Sequence, residues 1–324
     1  IMKRYSNLYK NICISENIED SFKEVRKNTN NDRRVFNMKQ YRSYYISTVY
    51  DIVNNHSYVV GPYNKFTIKE PKERQIVSQN IIDKMINHVV ARHILYPAIL
   101  PCLLDVNVAS RKNLGTSAGL EIAKKFRRKC KIKYNHFYVL KCDISKFFAS
   151  IIHEILKEKL LKRIKDKAAL EIVFKIIDSN EPGLFIGSMT SQILAIFYLN
   201  DLDHFIKEKL KIKYCVRYQD DFLLYHPSKK YLKYCLNEIK IFLEKEKLQL
   251  NIKTKIYKDN NNFTFLGRNS NGHYIRYRSV KRKLKNKYYY YQKGYISLNE
   301  FVSSLSCYSD LLKKEPKLLF KPHN

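Results

Sequence analysis

The sequence has little glycine and proline, with eight residues of each in a chain of 324. These residues punctuate turns and linkers, and we find neither a flexible linker nor an internal repeat. The seven cysteines form no Cys-x-x-Cys pair and stand at positions 13, 102, 130, 142, 215, 235 and 307. This pattern indicates neither a disulfide framework nor a zinc site, so we expect reduced thiols in a cytoplasmic protein.

Long apolar runs are missing as well. The longest candidate, "HVVARHILYPAILPCLLDV", is interrupted by Arg92, His93 and two prolines. It is therefore too broken for a membrane span. The first residues, "IMKRYSNLYKN", have no signal-peptide core. We expect no membrane partner.

Acidic residues are scarce: 30 Asp and Glu stand against 61 Lys and Arg, a formal charge of +31. An excess of this size predicts a polyanionic partner, most often nucleic acid. Because 45% of the residues are hydrophobic, the chain is a folded protein and not a disordered basic tail. Residues 260–299 contain no acid at all, and their crowded basic side chains predict a phosphate-binding surface. These are Arg276, Arg278, Lys281, Arg282, Lys283, Lys285 and Lys287.

The periodicity of apolar residues predicts a mixed α+β chain. Helices are predicted in residues 15–55, 81–100, 145–164 and 229–250, and after the glycines at 183 and 187. Hairpins are predicted at 59–79 and 214–226, and single strands at 136–143 and 262–268.

Three aspartates stand out against the basic background. Asp143 ends a predicted strand, and Asp220 and Asp221 form the tip of a predicted hairpin. If these strands are neighbours in one antiparallel sheet, the three carboxylates meet at one edge, where their repulsion requires cations between them. Two Mg²⁺ ions about 3.5–4 Å apart would neutralise the cluster and support phosphoryl transfer. An Asp-Asp pair alone also suits a structural turn.

The order of the surrounding motifs resembles that of bacterial retroelement reverse transcriptases, over nearly the whole chain. Tyr218-Gln219-Asp220-Asp221 matches the Tyr-x-Asp-Asp box, and "CDISKFF" matches the first palm motif. "GLFIGSMTSQ" (183–192) matches the motif that opens a helix against primer, template and nucleotide, and "NIKT" and "FLG" resemble the two motifs that close the palm.

The resemblance implies an RNA-directed DNA polymerase with a right-hand fold and two Mg²⁺ ions as cofactors. Its fingers would occupy residues 1–130, its palm 131–267 and its basic thumb 268–324. The catalytic residues would be Asp143, Asp220 and Asp221, with Ile144 added in the metal-binding set. Phe148 takes the place of the steric gate that excludes a 2′-hydroxyl, and its alternative is a core aromatic on a helix.

The remaining site residues also follow from the resemblance. Substrate-binding positions are Lys72, Arg74, Phe148, Ile186, Gly187, Tyr218 and Lys253, the last resembling a proton donor to pyrophosphate. Nucleic-acid-binding positions are Arg111, Gln192, Arg276, Arg278, Lys281, Arg282 and Lys283. Lys72 and Arg74 equally suit a solvated edge strand. Gly115 is expected to open a helix.

Ile186 stands where most such enzymes have glutamine. The resulting Ile-Gly-x-x-x-Ser-Gln is typical of diversity-generating retroelement polymerases, which implies reduced fidelity. Gln219 at the hairpin tip departs from that pattern and leaves room for the phage-defence reverse transcriptases, some of which prime from a tyrosine. The run Tyr288 to Tyr291 fits such priming.

The partners implied are an RNA template, a DNA product, and a dedicated non-coding RNA or small basic accessory protein. We expect a minimal enzyme without an RNase H, maturase or endonuclease domain. Two other classes remain open: a polymerase fold that only binds RNA, and an RNA-dependent RNA polymerase. The intact aspartates argue against the first, and Phe148 argues against the second.

Overall fold

The computed structural model describes residues 4–29, 31–68, 74–180, 182–269, 277–306 and 308. By their internal contacts, these residues form two units: Ile1–Phe66 with Ile76–Asn261, and Thr67–Gln75 with Asn262–Asn324. No helix among the described residues is long and apolar enough to cross a membrane.

Helices make up most of the regular structure. They are Tyr9–Ile12 (α1), Ser15–Lys27 (α2), Asp32–Gln40 (α3), Arg42–Asn54 (α4), Ile81–Val90 (α5), Tyr96–Ile99 (α6), Thr116–Lys133 (α7), His153–Leu161 (α8), Lys167–Asp178 (α9), Met189–Tyr198 (α10), Asn200–His204 (α11), Lys229–Lys245 (α12), Tyr277–Gln292 (α13) and Leu298–Ser306 (α14). Short π-helical turns follow α5 (Ala91–Leu95) and α11 (Phe205–Lys209), and 3₁₀ turns cover Leu100–Cys102 and Phe147–Ser150.

Within the described residues, the strands form three small sheets. They are Asn64–Ile68 (β1), Arg74–Ser78 (β2), Tyr138–Asp143 (β3), Tyr214–Tyr218 (β4), Asp221–His226 (β5), Lys255–Lys258 (β6), Thr264–Phe265 (β7) and Arg268–Asn269 (β8). The central sheet has the order β4-β5-β3-β6, while β1 pairs with β2 and β7 with β8. The predicted α+β fold with an antiparallel sheet is confirmed.

The two faces of the central sheet have different surroundings. Leu140, Cys142, Phe222 and Leu224 belong to the main hydrophobic core, which also contains the buried residues of α12. Side chains on a strand alternate between faces, so the neighbouring positions lie on the opposite face. Helix α7 packs on part of that face through Phe126, whose ring lies against Tyr214 and Tyr225. Helices therefore contact both faces of this sheet.

The long helix predicted over 145–164 is wrong in its first half. Lys146 is left-handed at φ 45°, a 3₁₀ turn follows, and α8 begins only at His153. Ile151 and Ile152 are extended, in agreement with the low helix propensity of β-branched residues. The strand predicted at 262–268 is instead the tight β7–β8 hairpin, where Leu266 and Gly267 both have positive φ.

Candidate active site

The register of the central sheet brings the candidate acids together. Asp143 at the end of β3 lies directly opposite Asp221 at the start of β5, and Asp221 lies opposite Tyr218 on β4. Directly opposed residues of antiparallel strands point to the same face. Asp143, Asp221 and Tyr218 therefore share one face of the sheet, the face that does not carry Cys142 and Phe222.

Asp220 occupies the turn between β4 and β5. Gln219, which precedes it, has φ 55°, in the left-handed region that a tight turn requires. The turn is tied to β3, because the Ile144 amide donates to the Asp220 carbonyl at 3.3 Å. On the other side of β3, the Asn251 amide donates to the Asp143 carbonyl at 2.7 Å. Backbone hydrogen bonds thus fix both Asp143 and Asp220 within one small region.

Lys141 is a cation within this acidic group. It lies two residues before Asp143 on the same face of β3, and its Nζ is 3.0 Å from Asp221 Oδ1. Burial raises the pKa of the Asp221 carboxyl to about 6, because the opposing effect of Lys141 is smaller and both Asp143 and Asp220 add repulsion. The group therefore contains three carboxylates that repel one another and one ammonium, that of Lys141, which attracts them.

The chemistry of this group suits Mg²⁺, which prefers carboxylate oxygens and often takes only one or two of them together with substrate phosphates. Among these four side chains, two negative charges stay uncompensated when all are ionised. Within the described residues, no three His, Cys, Asp or Glu side chains converge on one point. The main chains of the three aspartates thus lie close together as expected, but their side chains do not meet at one point. A metal ion held here would take its remaining ligands from other groups, such as substrate phosphates. Ile144 is only 2% exposed and has no side-chain donor, which leaves its main chain as the group available to a metal.

A buried ion pair supports the hairpin from the core side. Arg217 and Asp203 are both completely buried, and the Arg217 guanidinium donates to Asp203 Oδ1 at 2.7 Å and to Oδ2 at 2.5 Å. Its Nη1 also donates to the Gln219 carbonyl at 3.1 Å, and its Nη2 to the Ile196 carbonyl at 3.2 Å. One side chain thus joins the hairpin tip to α10 and α11.

A second connection joins the tip to the segment before α7. The Arg217 amide donates to the Val106 carbonyl at 2.8 Å, and the Val108 amide donates to the Arg217 carbonyl at 3.0 Å. Nearby, Gln219 Nε2 donates to Ser110 Oγ at 3.2 Å. The turn that holds Asp220 is therefore fixed from this segment as well as from the core.

The candidate gate, Phe148, lies on the 3₁₀ turn and is half-buried, with its ring 5.6 Å from that of Phe147 in an edge-on arrangement. Its carbonyl accepts from the Leu184 amide at 2.8 Å. A Cβ on Gly183 would lie 2.3 Å from the same carbonyl oxygen, so only glycine permits this approach. The start of "GLFIGSMTSQ" is therefore packed against the main chain of Phe148.

The glycine at position 187 has a comparable constraint. Its φ is 125°, and an added Cβ would lie 3.1 Å from the Val77 carbonyl oxygen on β2. The Val77 amide also approaches the Ile186 carbonyl at 3.4 Å. Ile186 is half-buried and Gln192 is exposed on the first turns of α10. The main chain at Gly187 thus lies close to β2, and a side chain at this position would crowd the Val77 carbonyl.

The profile of the reverse transcriptase (RNA-dependent DNA polymerase) family matches residues 64–269, well over half of the chain. The chain belongs to this reverse transcriptase family. The match contains both carboxylate-bearing strands, the hairpin tip and the "GLFIGSMTSQ" segment.

Individual relatives are distant. The protein named for intron 2 of COX1/OXI3 in Saccharomyces cerevisiae is 28% identical over 112 residues, 31% of this chain and 12% of that protein. Apo telomerase from Candida tropicalis, truncated from its C-terminal domain, aligns with a TM-score of 0.50 at 17% identity, covering 65% of this chain and 54% of that one. Telomerase from Candida albicans in complex with a TWJ fragment of telomeric RNA aligns with a TM-score of 0.50 at 14% identity, covering 72% and 48%. This chain spans about half of each telomerase, and at these identities the likeness shows the fold alone.

The structure also describes some of the other positions that the family resemblance implies. Lys253 is exposed on the Asn251–Thr254 turn, where its amide donates to Asn251 Oδ1 at 3.0 Å. Arg111 is half-buried and its Nη1 donates to the Leu104 and Asn107 carbonyls at 3.2 Å each, so its guanidinium braces its own loop. Gly115 precedes α7 as predicted.

The basic residues of the C-terminal segment are described only in part. Lys281 is half-buried, and Arg282 and Lys283 are exposed on α13. Arg278 lies on α13 and Arg74 on β2, but their side chains are outside the described residues, and Lys72 and Arg276 lie outside them entirely.

Sequence reasoning missed three residues of this site: Lys141, Asp203 and Arg217. Lys141 carried a signal, because it is a charged residue at an inward position two before Asp143. Arg217, between Val216 and Tyr218 in an apolar strand, was also out of place. Asp203 gave no signal, since its partner is fourteen positions away on another element.

Proposed function

We propose that this chain is an RNA-directed DNA polymerase that extends a primer with deoxynucleotides in a Mg²⁺-dependent reaction. The observation that carries the proposal is the register that places Asp143 opposite Asp221 beside the Tyr218–Asp221 turn. That arrangement occurs within a match to the reverse transcriptase family. The activity of the whole protein is inferred, because its relatives are longer and distant.

The acidic group is the proposed catalytic centre. Asp143, Asp220 and Asp221, with the main chain of Ile144, would hold two Mg²⁺ ions, which when bound lower the pKa of the attacking hydroxyl and stabilise the leaving pyrophosphate. Lys141 neutralises part of the carboxylate charge while metal and nucleotide are away.

Nucleotide selection is assigned to the residues around the 3₁₀ turn. Phe148 would lie against C2′ of the sugar, and its half-buried ring leaves one side accessible. Gly187 would let the backbone approach the incoming base pair, with Ile186 and Tyr218 beside it. Lys72, Arg74 and Lys253 would bind the triphosphate or pyrophosphate.

The nucleic acid would be bound mainly by basic side chains. We assign residues 1–130 to the fingers, 131–267 to the palm and 268–324 to the thumb. Arg282 and Lys283 are exposed on α13 and would contact phosphates together with Arg276, Arg278 and Lys281. Arg111 and Gln192 would contact the template side. The partners would be an RNA template, its DNA product, and a dedicated non-coding RNA or small basic accessory protein.

Within this activity, Ile186-Gly187 supports a bacterial diversity-generating retroelement polymerase of reduced fidelity. The second candidate is a phage-defence reverse transcriptase that primes synthesis from a tyrosine. Its support is the run on α13, where Tyr288, Tyr289 and Tyr290 are 48%, 52% and 43% exposed. A hydroxyl nucleophile must be accessible, and these three are.

Primer extension tests the proposal. Purified protein with Mg²⁺ and oligo(dT)-primed poly(rA) is given dTTP or UTP, alongside Asp220→Asn and the control Asp51→Asn, an exposed carboxylate on α4. We expect wild type and Asp51→Asn to incorporate dTTP and to discriminate against UTP. We expect Asp220→Asn to lose more than about a hundred-fold of the rate, since it removes a metal-binding carboxylate.

Two outcomes would contradict the proposal. Magnesium-independent RNA binding with no incorporation, even with co-purified RNA and all four nucleotides, would leave an RNA-binding protein on a polymerase fold. Preferential incorporation of UTP would indicate an RNA-dependent RNA polymerase. Label from a nucleotide retained covalently on the protein, and lost in a Tyr288–Tyr291→Phe variant, would favour the tyrosine-primed form.

A further inference from the structure

The outer surface of α7 carries the densest basic cluster outside the C-terminal segment. Five exposed side chains form the α7 basic face: Lys124, Lys125, Arg128, Lys129 and Lys131. With 3.6 residues per turn they occupy about half of the helix circumference. Gly119, Phe126 and Cys130 lie on the other side, toward the protein.

The α7 basic face is electrostatically unfavourable by itself. Lys124 and Arg128, and Lys125 and Lys129, are like charges four residues apart, which destabilises a helix by a few tenths of a kcal/mol per pair. Within the described residues, the one ion pair of these five side chains is Lys124 with Glu121 at 3.8 Å. A helix that keeps such repulsion gains stability from a polyanion that covers it.

The composition of the face indicates what kind of polyanion fits. Proteins that hold single strands use aromatic rings as stacking platforms for the bases. The aromatic residue within α7, Phe126, is packed against Tyr214 and Tyr225 and is not on this face. Cations without stacking groups suit the phosphate backbone of a double helix, which is recognised by charge and shape.

The face is also separated from the catalytic group. Tyr225 donates its hydroxyl to the Ala123 carbonyl at 3.3 Å, just before the basic residues begin. Tyr225 stands four residues along β5 from Asp221, or roughly 13 Å. Helix α7 continues beyond Ala123 to Lys133, which is nearly three turns. A nucleic acid bound there lies away from the reacting nucleotide.

On these grounds we propose that the α7 basic face binds a double-helical stem of RNA at a site separate from the catalytic group. This inference rests on the proposed polymerase function only for the choice of RNA. The binding site itself requires no catalysis.

The test removes four charges from α7 and compares the loss with an equal change elsewhere. The variant is Lys124→Gln, Lys125→Gln, Arg128→Gln and Lys129→Gln. The matched control carries Lys229→Gln, Lys230→Gln, Lys233→Gln and Lys240→Gln, all exposed on α12. Binding of a labelled RNA duplex of about 20 base pairs is measured by fluorescence anisotropy in chelator over a range of salt.

We expect the α7 variant to bind the duplex about ten-fold or more weakly, and the slope of log affinity against log salt to fall by about 3. The α12 control should change neither quantity by as much. In both variants, kcat for incorporation of the first nucleotide at saturating primer–template should stay at the wild-type value. Any loss of activity should then appear as a rise in the KM for primer–template.

Equal losses in the two variants would overturn the proposal, since they would reflect total charge and not this face. The proposal would also be overturned if the α7 variant lost more affinity for another ligand than for duplex RNA. The ligands to compare are single-stranded RNA, an RNA–DNA hybrid and anionic phosphatidylserine vesicles. If the wild-type protein does not extend a primer but its duplex binding still depends on α7, the polymerase function is contradicted. The proposed binding site on α7 would then still stand.

Discussion

Arg217 and Asp203 form a two-point ion pair in which neither side chain is exposed, and the same guanidinium holds the carbonyl of Gln219. A charge buried at this depth is stable only while its partner is present. The pair lies directly behind the turn that carries Asp220 and Asp221. Its integrity therefore affects both the stability of the protein and the position of the turn that we propose to be catalytic.

Removing one member of this pair should destabilise the protein strongly. We expect Asp203→Ala to lower the free energy of unfolding by about 3–5 kcal/mol, because it leaves the Arg217 charge buried without a counter-ion. Urea unfolding measures the change. The control is Glu208→Ala, whose carboxylate is 62% exposed beside His204 and should cost less than about 1 kcal/mol.

Replacing both members of the pair distinguishes its effect on stability from its effect on the position of the hairpin turn. The double variant Asp203→Leu, Arg217→Met should recover much of the stability lost in Asp203→Ala, since apolar residues fill a buried site without a desolvation cost. Primer extension should remain below wild type, because the hydrogen bond from residue 217 to the Gln219 carbonyl is gone. Full recovery of extension would show that the pair has no positioning role.

The raised pKa of Asp221 predicts a pH dependence of stability. The folded protein holds this proton up to about pH 6, whereas an unfolded carboxyl releases it near its ordinary value of 3.8. Between these values the native state binds more protons, so the free energy of unfolding falls as pH rises through the window. Asp221→Asn should therefore gain about 2 kcal/mol relative to wild type between pH 4 and pH 7.

This measurement is made in chelator, so that no cation offsets the repulsion. Asp105→Asn, at a fully exposed carboxylate, is the control for the change of Asp to Asn itself. A pH-independent difference for Asp221→Asn would show that the carboxyl titrates normally.

The proposed gate predicts a change in sugar selectivity. Phe148→Ala should increase incorporation of UTP relative to dTTP by about ten-fold or more, since the ring would no longer occupy the space of a 2′-hydroxyl. The ratio of kcat/KM for the two nucleotides measures it. Phe147→Leu is the control, because that neighbouring ring is 3% exposed and belongs to the core; it should lower stability and leave the ratio unchanged.

Gly115 and Gly187 have similar φ angles but different surroundings, so replacing each with alanine distinguishes backbone strain from steric crowding. Gly187 has φ 125° and a prospective Cβ contact of 3.1 Å with Val77, whereas Gly115 has φ 132° and no atom within 4 Å. Both Gly115→Ala and Gly187→Ala should lose about 1 kcal/mol or more from the strained φ. Only Gly187→Ala should also raise the KM for the nucleotide, and equal kinetics in both would exclude a role for the Val77 contact.

The local parts of this architecture could be predicted from the sequence. The strand that ends at Asp143, the hairpin around Asp220 and the helix after Gly187 follow from two- and four-residue periodicities and turn chemistry. The helix over 145–164 could not be placed correctly, because the Phe148 carbonyl bonds to Leu184, a contact between distant segments. Local propensity contains no information about such a partner.

Ion pairs between residues far apart in the sequence could not be predicted either. Asp203 and Lys141 become part of the site only through the packing of α11 and the register of β3 with β5. A lysine at position 141 could be noticed in the sequence, but its pairing with Asp221 required the structure. Motif resemblance supplied the candidate catalytic aspartates, whereas the residues that position them became visible only in the fold.

The hydrogen bond between Gln219 and Ser110 has a consequence for protein engineering and for divergence. Gln219 at the tip of the hairpin and Ser110, 109 positions earlier, share one contact, so exchanges at the two positions are coupled. A chimaera that imports only the hairpin of a relative would leave the Ser110 hydroxyl facing a mismatched tip. The segment through Ser110 and the hairpin therefore form one module, to be transplanted together.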